Sequence, residues 1–266
     1  MRYHLLVRVV LLLVSAWLCG ACDDVFDLEH IDDSDCVDLG HDEDSDGIDD
    51  ACDPCPFDAH NDDDPDDDGI ALACDPDPAK HNDVVFFSGF NLGNRAGLEL
   101  FEGYFAEDSF DGMVGDASHG LFWNGSPDGV WVIVGVDVLA LDAAASAHEL
   151  GIIFDAARYS SYEINGIVCE LVFDSTDNFL RAGLHQYPNP DETYGPWVQS
   201  PLPLDQMHGI IRAHYSRAGT VGCSFETPLL QPSIEQTPTT NPAPGTIALW
   251  AEDIGVSFRF LMITTK

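Results

Sequence analysis

Val132-Ile133-Val134-Gly135-Val136-Asp137-Val138 carries the alternation that sets the fold class. Val132, Val134, Val136 and Val138 fall on one face of an extended backbone, and Gly135 and Asp137 on the other. Strand side chains alternate with period two, so Trp131–Leu141 reads as a half-buried strand. Val256-Ser257-Phe258-Arg259-Phe260 alternates in the same manner. Further strands are expected at Gly120–Trp123, Leu150–Asp155, Ile167–Asp174, Leu180–Gln186, Gly209–Ser216, Val221–Phe225, Thr246–Ala251 and Val256–Thr264. Turn residues separate them, and no 3.6-residue pattern spans more than a few turns. Residues 84–266 are long enough to bury one all-β core, and many short antiparallel strands predict a two-sheet sandwich. Pro-rich stretches at Tyr187–Pro203 and Thr227–Pro244 read as long surface loops, the kind that often carries function.

Before Val84 the composition inverts. The 266-residue chain carries a net charge of −37, and between Asp23 and Asp83 only Lys80 is basic. Acid-rich runs are usually solvated, because they repel and cannot bury a core. Here, however, the acids keep register. Asp42-x-Asp44-x-Asp46-Gly47-Ile48-x-Asp50-x-Cys52-Asp53 is echoed by Asp64-x-Asp66-x-Asp68-Gly69-Ile70-x-Leu72-x-Cys74-Asp75. Carboxylates at positions 1, 3 and 5 converge on a hard cation if the chain turns sharply after the third, which glycine at position 6 permits. The carbonyl of position 7 and an acid at position 12 complete an all-oxygen shell, which suits Ca²⁺ better than magnesium or zinc. Such a segment is expected to gain its order with the ion.

The N-terminus has Arg2 and Arg8, then an apolar run from Val9 to Leu18, too short for a comfortable span and suited to a secretory leader. It ends in Leu18-Cys19-Gly20-Ala21-Cys22, which resembles the lipobox of bacterial lipoproteins; that resemblance makes 1–21 a signal peptide and Cys22 the lipid anchor. Cys19 departs from the usual small residue of that position, and the alternative is an ordinary signal peptide that leaves Cys22 as a disulfide partner. Of eight cysteines, Cys19 leaves with the leader and Cys22 takes lipid, so Cys36, Cys52, Cys55, Cys74, Cys169 and Cys223 remain. An even set suits an oxidising compartment. Six cysteines allow fifteen pairings; chain proximity favours Cys36–Cys52, Cys55–Cys74 and Cys169–Cys223. The Cys52-x-x-Cys55 spacing also suits zinc or redox chemistry, but no second thiol or histidine pair stands at finger spacing.

Asp42–Asp75, with Asp-Ala-Cys-Asp-x-Cys-Pro at 50–56, resembles thrombospondin type 3 repeats. The resemblance implies a first calcium site from Asp42, Asp44, Asp46, the Ile48 carbonyl, Asp50 and Asp53. It implies a second from Asp64, Asp66, Asp68, the Ile70 carbonyl and Asp75. Leu72 stands where that family has Asp, so the second site lacks one ligand, and Ala59-His60-Asn61 lacks the usual connector. The later chain resembles the concanavalin A-like jelly roll of laminin G and legume-lectin type, on aromatic Phe86–Phe90, long Trp131–Leu141 and the closing pair Thr246–Trp250 and Val256–Ile263.

The expected organisation is therefore an anchor and acidic linker at 22–41, calcium-binding repeats at 42–83 and a jelly-roll sandwich at 84–266. The repeats are expected to act as a stiffened stalk on the cell envelope, with a glycan or a surface protein as partner. No catalytic residue is assigned: the paired acids of a glycosidase of this fold, Glu-x-Asp-x-x-Glu on one strand, are absent, and Glu149 and Asp155 read as solvent residues at strand ends. A hydrolase, or a structural surface protein without a ligand, are the alternatives. His208 and His214 share a strand face but lie roughly 20 Å apart by strand rise, too far for one metal. No Gly-x-Ser-x-Gly elbow, phosphate loop or dinucleotide fingerprint occurs, and the charge excludes nucleic acid as a partner. Trp123, Tyr187, Tyr194 and Trp197 are the aromatic candidates for ligand contact.

Overall fold

The protein's structure, a computed structural model, describes residues 42, 44–49, 52–59, 63–90, 95–106, 109–112, 118–125, 128–145, 147–158, 164–174, 178–185, 198–199, 208–216, 220–227, 231–237 and 245–265. The leader, Cys22, Cys36 and Asp50 lie outside the described residues. Fifteen strands and no helix are found among them: β1 (Val84–Ser88), β2 (Leu98–Glu102), β3 (Tyr104–Phe105), β4 (Phe110–Gly112), β5 (His119–Trp123), β6 (Val130–Leu141), β7 (Ala147–Arg158), β8 (Ile164–Asp174), β9 (Asn178–His185), β10 (Val198–Gln199), β11 (His208–Tyr215), β12 (Val221–Glu226), β13 (Ser233–Gln236), β14 (Thr246–Glu252) and β15 (Ile254–Thr265). One sheet runs β13-β12-β11-β6-β15-β4-β3, with β1 also on β15; the other runs β10-β9-β8-β7-β14-β5-β2. Every pairing is antiparallel.

The valine alternation does what its period demands. Val132, Val134 and Val136 are buried in the main core with Ile211, Ala213 and Tyr215 of β11, against Ile152 and Phe154 of β7 and Leu171 of β8, and Val138 packs at its margin. A disulfide, Cys169–Cys223, joins β8 to β12 and so one sheet to the other.

β15 departs from strict alternation. Its register against β6 slips between Phe258 and Phe260, so Phe258 pairs with Val136 and Phe260 with Gly135. One extra residue in a strand reverses the facing of everything after it. Phe258 consequently sits in the main core, while Phe260 and Met262 join a separate cluster with Ile133 on the opposite face of the same sheet. Gly135 leaves room there: a Cβ would meet the Phe260 ring at 2.4 Å.

Three expectations are corrected. Ser233–Gln236 is an edge strand paired with β12, and Val198–Gln199 pairs with β9, both inside stretches read as loops; runs this short carry too few alternations to show a period. Asp155 is not a solvent residue at a strand end. β7 continues to Arg158, its register slips between Phe154 and Ala157, and Asp155 is fully buried. There it accepts hydrogen bonds from the Tyr215 hydroxyl at 2.7 Å and the Gly245 amide at 3.0 Å, linking the two sheets. Glu149, also read as a strand-end solvent residue, is partly buried and ion-paired with Arg181.

Candidate functional site

The two acidic turns fold alike. Position 4 takes a left-handed backbone in both, Ser45 at φ 64° and Asp67 at 61°, and the glycines follow at 95° and 85°. The position 1 carboxylate then caps the turn. Asp42 accepts from the amides of Asp46 at 3.2 Å and Gly47 at 3.0 Å, and Asp64 from those of Asp68 at 3.2 Å and Gly69 at 2.8 Å. Asp46 accepts from Ile48 and Asp68 from Ile70, at 2.7 and 2.8 Å. At position 12, Asp53 and Asp75 each accept from the amide two residues on, at 2.7 and 2.8 Å. Oxygens of Asp42, Asp44 and Asp46, and likewise of Asp64, Asp66 and Asp68, lie within 4.8 Å of one another.

The second turn carries the test of fit to a cation. Both carboxylate oxygens of Asp66, and Oδ2 of Asp75, are buried and accept no hydrogen bond. Burial, joined by the charges of Asp68 and Asp64, pushes the Asp66 carboxyl above the usual aspartate range. Burial likewise raises Asp75, opposed by the Asp77 amide and reinforced by Asp68 and Asp66. Burial also works to raise Asp64, but four backbone amides outweigh it and hold that carboxyl low. Buried acceptors without donors, crowded by like charge, are relieved by a hard cation, and an all-oxygen set fits calcium. Leu72, at position 9, is 44% exposed.

From Cys55 onward the repeat segment does not stand off the sandwich as a spacer. Cys55, Ile70, Ala71 and Cys74 form one apolar cluster with Ile133, Phe260 and Met262, with Phe57, Phe87 and Ile210 packed against it. Phe57 stacks on Phe260 at 4.7 Å between centroids, 2° from parallel. Arg212 on β11 donates to the Ala73 carbonyl at 2.8 Å, lies 5.5 Å over the Phe57 ring and pairs with Glu226 at 3.1 Å. Asn82 and Asp83 tie the segment's end to the last strand through Thr265. A Cys55–Cys74 disulfide closes the turn from beneath, and Cys52 is also disulfide-bonded. The signal missed in the sequence is Ile133: a half-buried strand with an apolar residue on its supposed solvent face needs a cover.

Beside this cover, on the same sheet face, Trp131, Arg212, His214, Ser224, Ser233 and Glu235 line a hollow of about 240 Å³. The Trp131 and His214 rings lie 4.3 Å apart. Trp123 is not presented outward: its ring packs against Phe86 at 5.8 Å at the margin of the main core. Tyr187, Tyr194 and Trp197 lie outside the described residues. His208 and His214 sit at opposite ends of β11. On the second sheet Arg181 holds two acids, Glu170 at 2.6 Å and Glu149 at 2.9 Å.

No family model matches the chain, and no curated protein matches it. Among solved structures it is similar to the CBM2 module of Lactobacillus casei BL23 phage J-1 evolved Dit, at 10% identity and TM-score 0.47, over 69% of this chain and 96% of that one. It is similar to the exoplasmic/lumenal domain of VIP36 in a Ca²⁺/Man-bound form, at 9% identity and TM-score 0.48, over 69% and 88%. A legume lectin-like domain from Entamoeba histolytica gives 8% identity and TM-score 0.45, over 63% and 89%. The sandwich architecture itself stands on the strand order and register of this chain.

Proposed function

We propose that this chain is a calcium-binding lipoprotein of the cell envelope with two ion-filled turns, the second seated on a β-sandwich that serves recognition rather than catalysis. The observation that carries the calcium reading is Asp75. Its Oδ2 is buried, bonded to no donor, and close enough to Asp66 and Asp68 to feel their charges. A carboxylate is kept in such a place at a cost unless a cation shares it. The first site is assigned to Asp42, Asp44, Asp46, Ile48, Asp50 and Asp53, and the second to Asp64, Asp66, Asp68, Ile70 and Asp75. The anchor is assigned to Cys22 on the sequence before it.

Recognition of a glycan is favoured by the hollow lined by Trp131, His214, Ser224, Ser233 and Glu235, which puts aromatic, hydroxyl and carboxylate residues around one cavity. Rings stack on sugar faces, and carboxylates accept from sugar hydroxyls. Against hydrolysis stands the arrangement on the second sheet, where one guanidinium, that of Arg181, engages both Glu149 and Glu170, whereas a glycosidase needs two carboxyl groups turned to the sugar. Calorimetric titration of the chain with CaCl₂ tests the reading. Uptake of two ions with dissociation constants of about 10⁻⁴ to 10⁻³ M is expected; no heat at millimolar Ca²⁺ would overturn it. A glycan array with Trp131→Ala as control tests the hollow, and equal signals from both proteins would remove it.

A further inference from the structure

The second turn has Leu72 where the first has Asp50, so its own residues offer one carboxylate fewer. Asn82 stands outside the turn and is 0% exposed. Its backbone N–H donates to Asp68 Oδ2 at 2.7 Å, which sets it against a ligand of the second site. Its side-chain Nδ2 donates to the Thr265 carbonyl at 2.8 Å. A carbonyl only accepts, so this bond fixes which way the amide points: nitrogen to β15, oxygen away from it. That oxygen, Oδ1, is buried and receives no hydrogen bond. Asp66 Oδ1, Asp66 Oδ2 and Asp75 Oδ2 share its condition. The residues that carry these four acceptors all border Asp68: Asn82 through its amide, Asp66 as its neighbour in the carboxylate group, Asp75 by feeling its charge; buried acceptors without donors call for positive charge.

We propose that Asn82 Oδ1 is a ligand of the cation held by the second turn, supplying the oxygen that Leu72 does not. Side-chain amide carbonyls are ordinary calcium ligands. The inference rests on the calcium reading above and adds a consequence to it. The ion is then bonded through one side chain to a residue that is itself bonded to the last strand, so filling the site fastens the acidic segment to the sandwich. Leu72, freed of coordination, turns outward.

The test is calorimetric titration of the full chain with CaCl₂, comparing wild type, Asn82→Ala, Asn82→Ala with Leu72→Asp, and Asn82→Asp. Wild type is expected to show two sites. Asn82→Ala is expected to weaken one of them about tenfold and spare the other, and Leu72→Asp to restore the weakened one, since an acid returns to position 9. Asn82→Asp separates coordination from packing: it keeps a ligand oxygen while removing the donor to Thr265, so a ligand role predicts affinity retained or raised. Two sites in wild type with unchanged affinity in Asn82→Ala would overturn the assignment while leaving the calcium reading intact. So would a loss that Leu72→Asp fails to restore, or a loss in Asn82→Asp equal to that in Asn82→Ala. No uptake by wild type would overturn both.

Discussion

Truncating Phe260 distinguishes a clasped sandwich from one carrying a free stalk. Phe260 is fully buried although it faces away from the main core; its ring is covered by Phe57 at 4.7 Å and approached by Phe87 at 6.4 Å. Removing a buried phenylalanine side chain costs about 3–5 kcal/mol, from lost transfer energy and the cavity left behind. The same truncation on an uncovered sheet face costs within about 0.5 kcal/mol. Leu139→Ala supplies that reference, since Leu139 is 60% exposed on β6. In urea unfolding with Ca²⁺ present, and a slope near 3 kcal/mol/M, Phe260→Ala should lower the midpoint by about 1 M or more. In chelator the penalty should shrink toward that of Leu139→Ala, because a segment of unrelieved carboxylates no longer holds its seat. If Phe260→Ala behaves like Leu139→Ala with calcium present, the acidic segment does not cover that face.

Tyr215→Phe removes the hydroxyl donor to buried Asp155; a buried acceptor left without that donor sets the expected loss at about 1–3 kcal/mol, read as a fall in the urea midpoint. Gly69→Ala forces a Cβ into a backbone with φ of 85°; about 1–2 kcal/mol of strain should weaken the second site roughly tenfold by calorimetry, with the far-ultraviolet dichroism of the sandwich unchanged. The pH response follows from the raised carboxyls of Asp66 and Asp75. In chelator they keep their protons to higher pH in the seated than in the unseated segment, so seating without calcium is favoured at low pH and lost as pH rises through their raised values. Calcium needs both ionised, so its increment in melting temperature should shrink as pH falls through the same range; an increment constant from about pH 7 to 4 would contradict this. Asp64, held low, contributes in the opposite sense and loses its part only at more acidic pH.

The long strands were legible because their cores alternate over enough residues to show a period, as Val132 to Val138 do. What hid was whatever broke the alternation. The slips at Phe258–Phe260 and Phe154–Ala157 each insert one residue, and neither Arg259 nor Asp155 has a composition that announces a bulge. Phe260 therefore read as core partner of Phe258, and Asp155 as solvent. The register of acids around Gly47 and Gly69 was readable because every member is local. The seat of that segment was not, since Phe57 meets Phe260 across some two hundred residues of chain and no short-range pattern encodes such a contact. Asn82 was missed for the same reason: its meaning depends on Thr265, 183 residues away.

That distance governs the order of assembly. The apolar face that receives Phe57 and Ile70 is built from β1, β6, β11 and β15, and the last of these closes at Thr265. In a chain emerging amino end first, the aspartate turns are made long before the surface that will hold them. The Cys55–Cys74 bridge spans only 19 residues and needs nothing downstream to close. Docking, by contrast, waits for β15 to enter its sheet between β6 and β4, so the aspartate turns are made well before the surface that seats them.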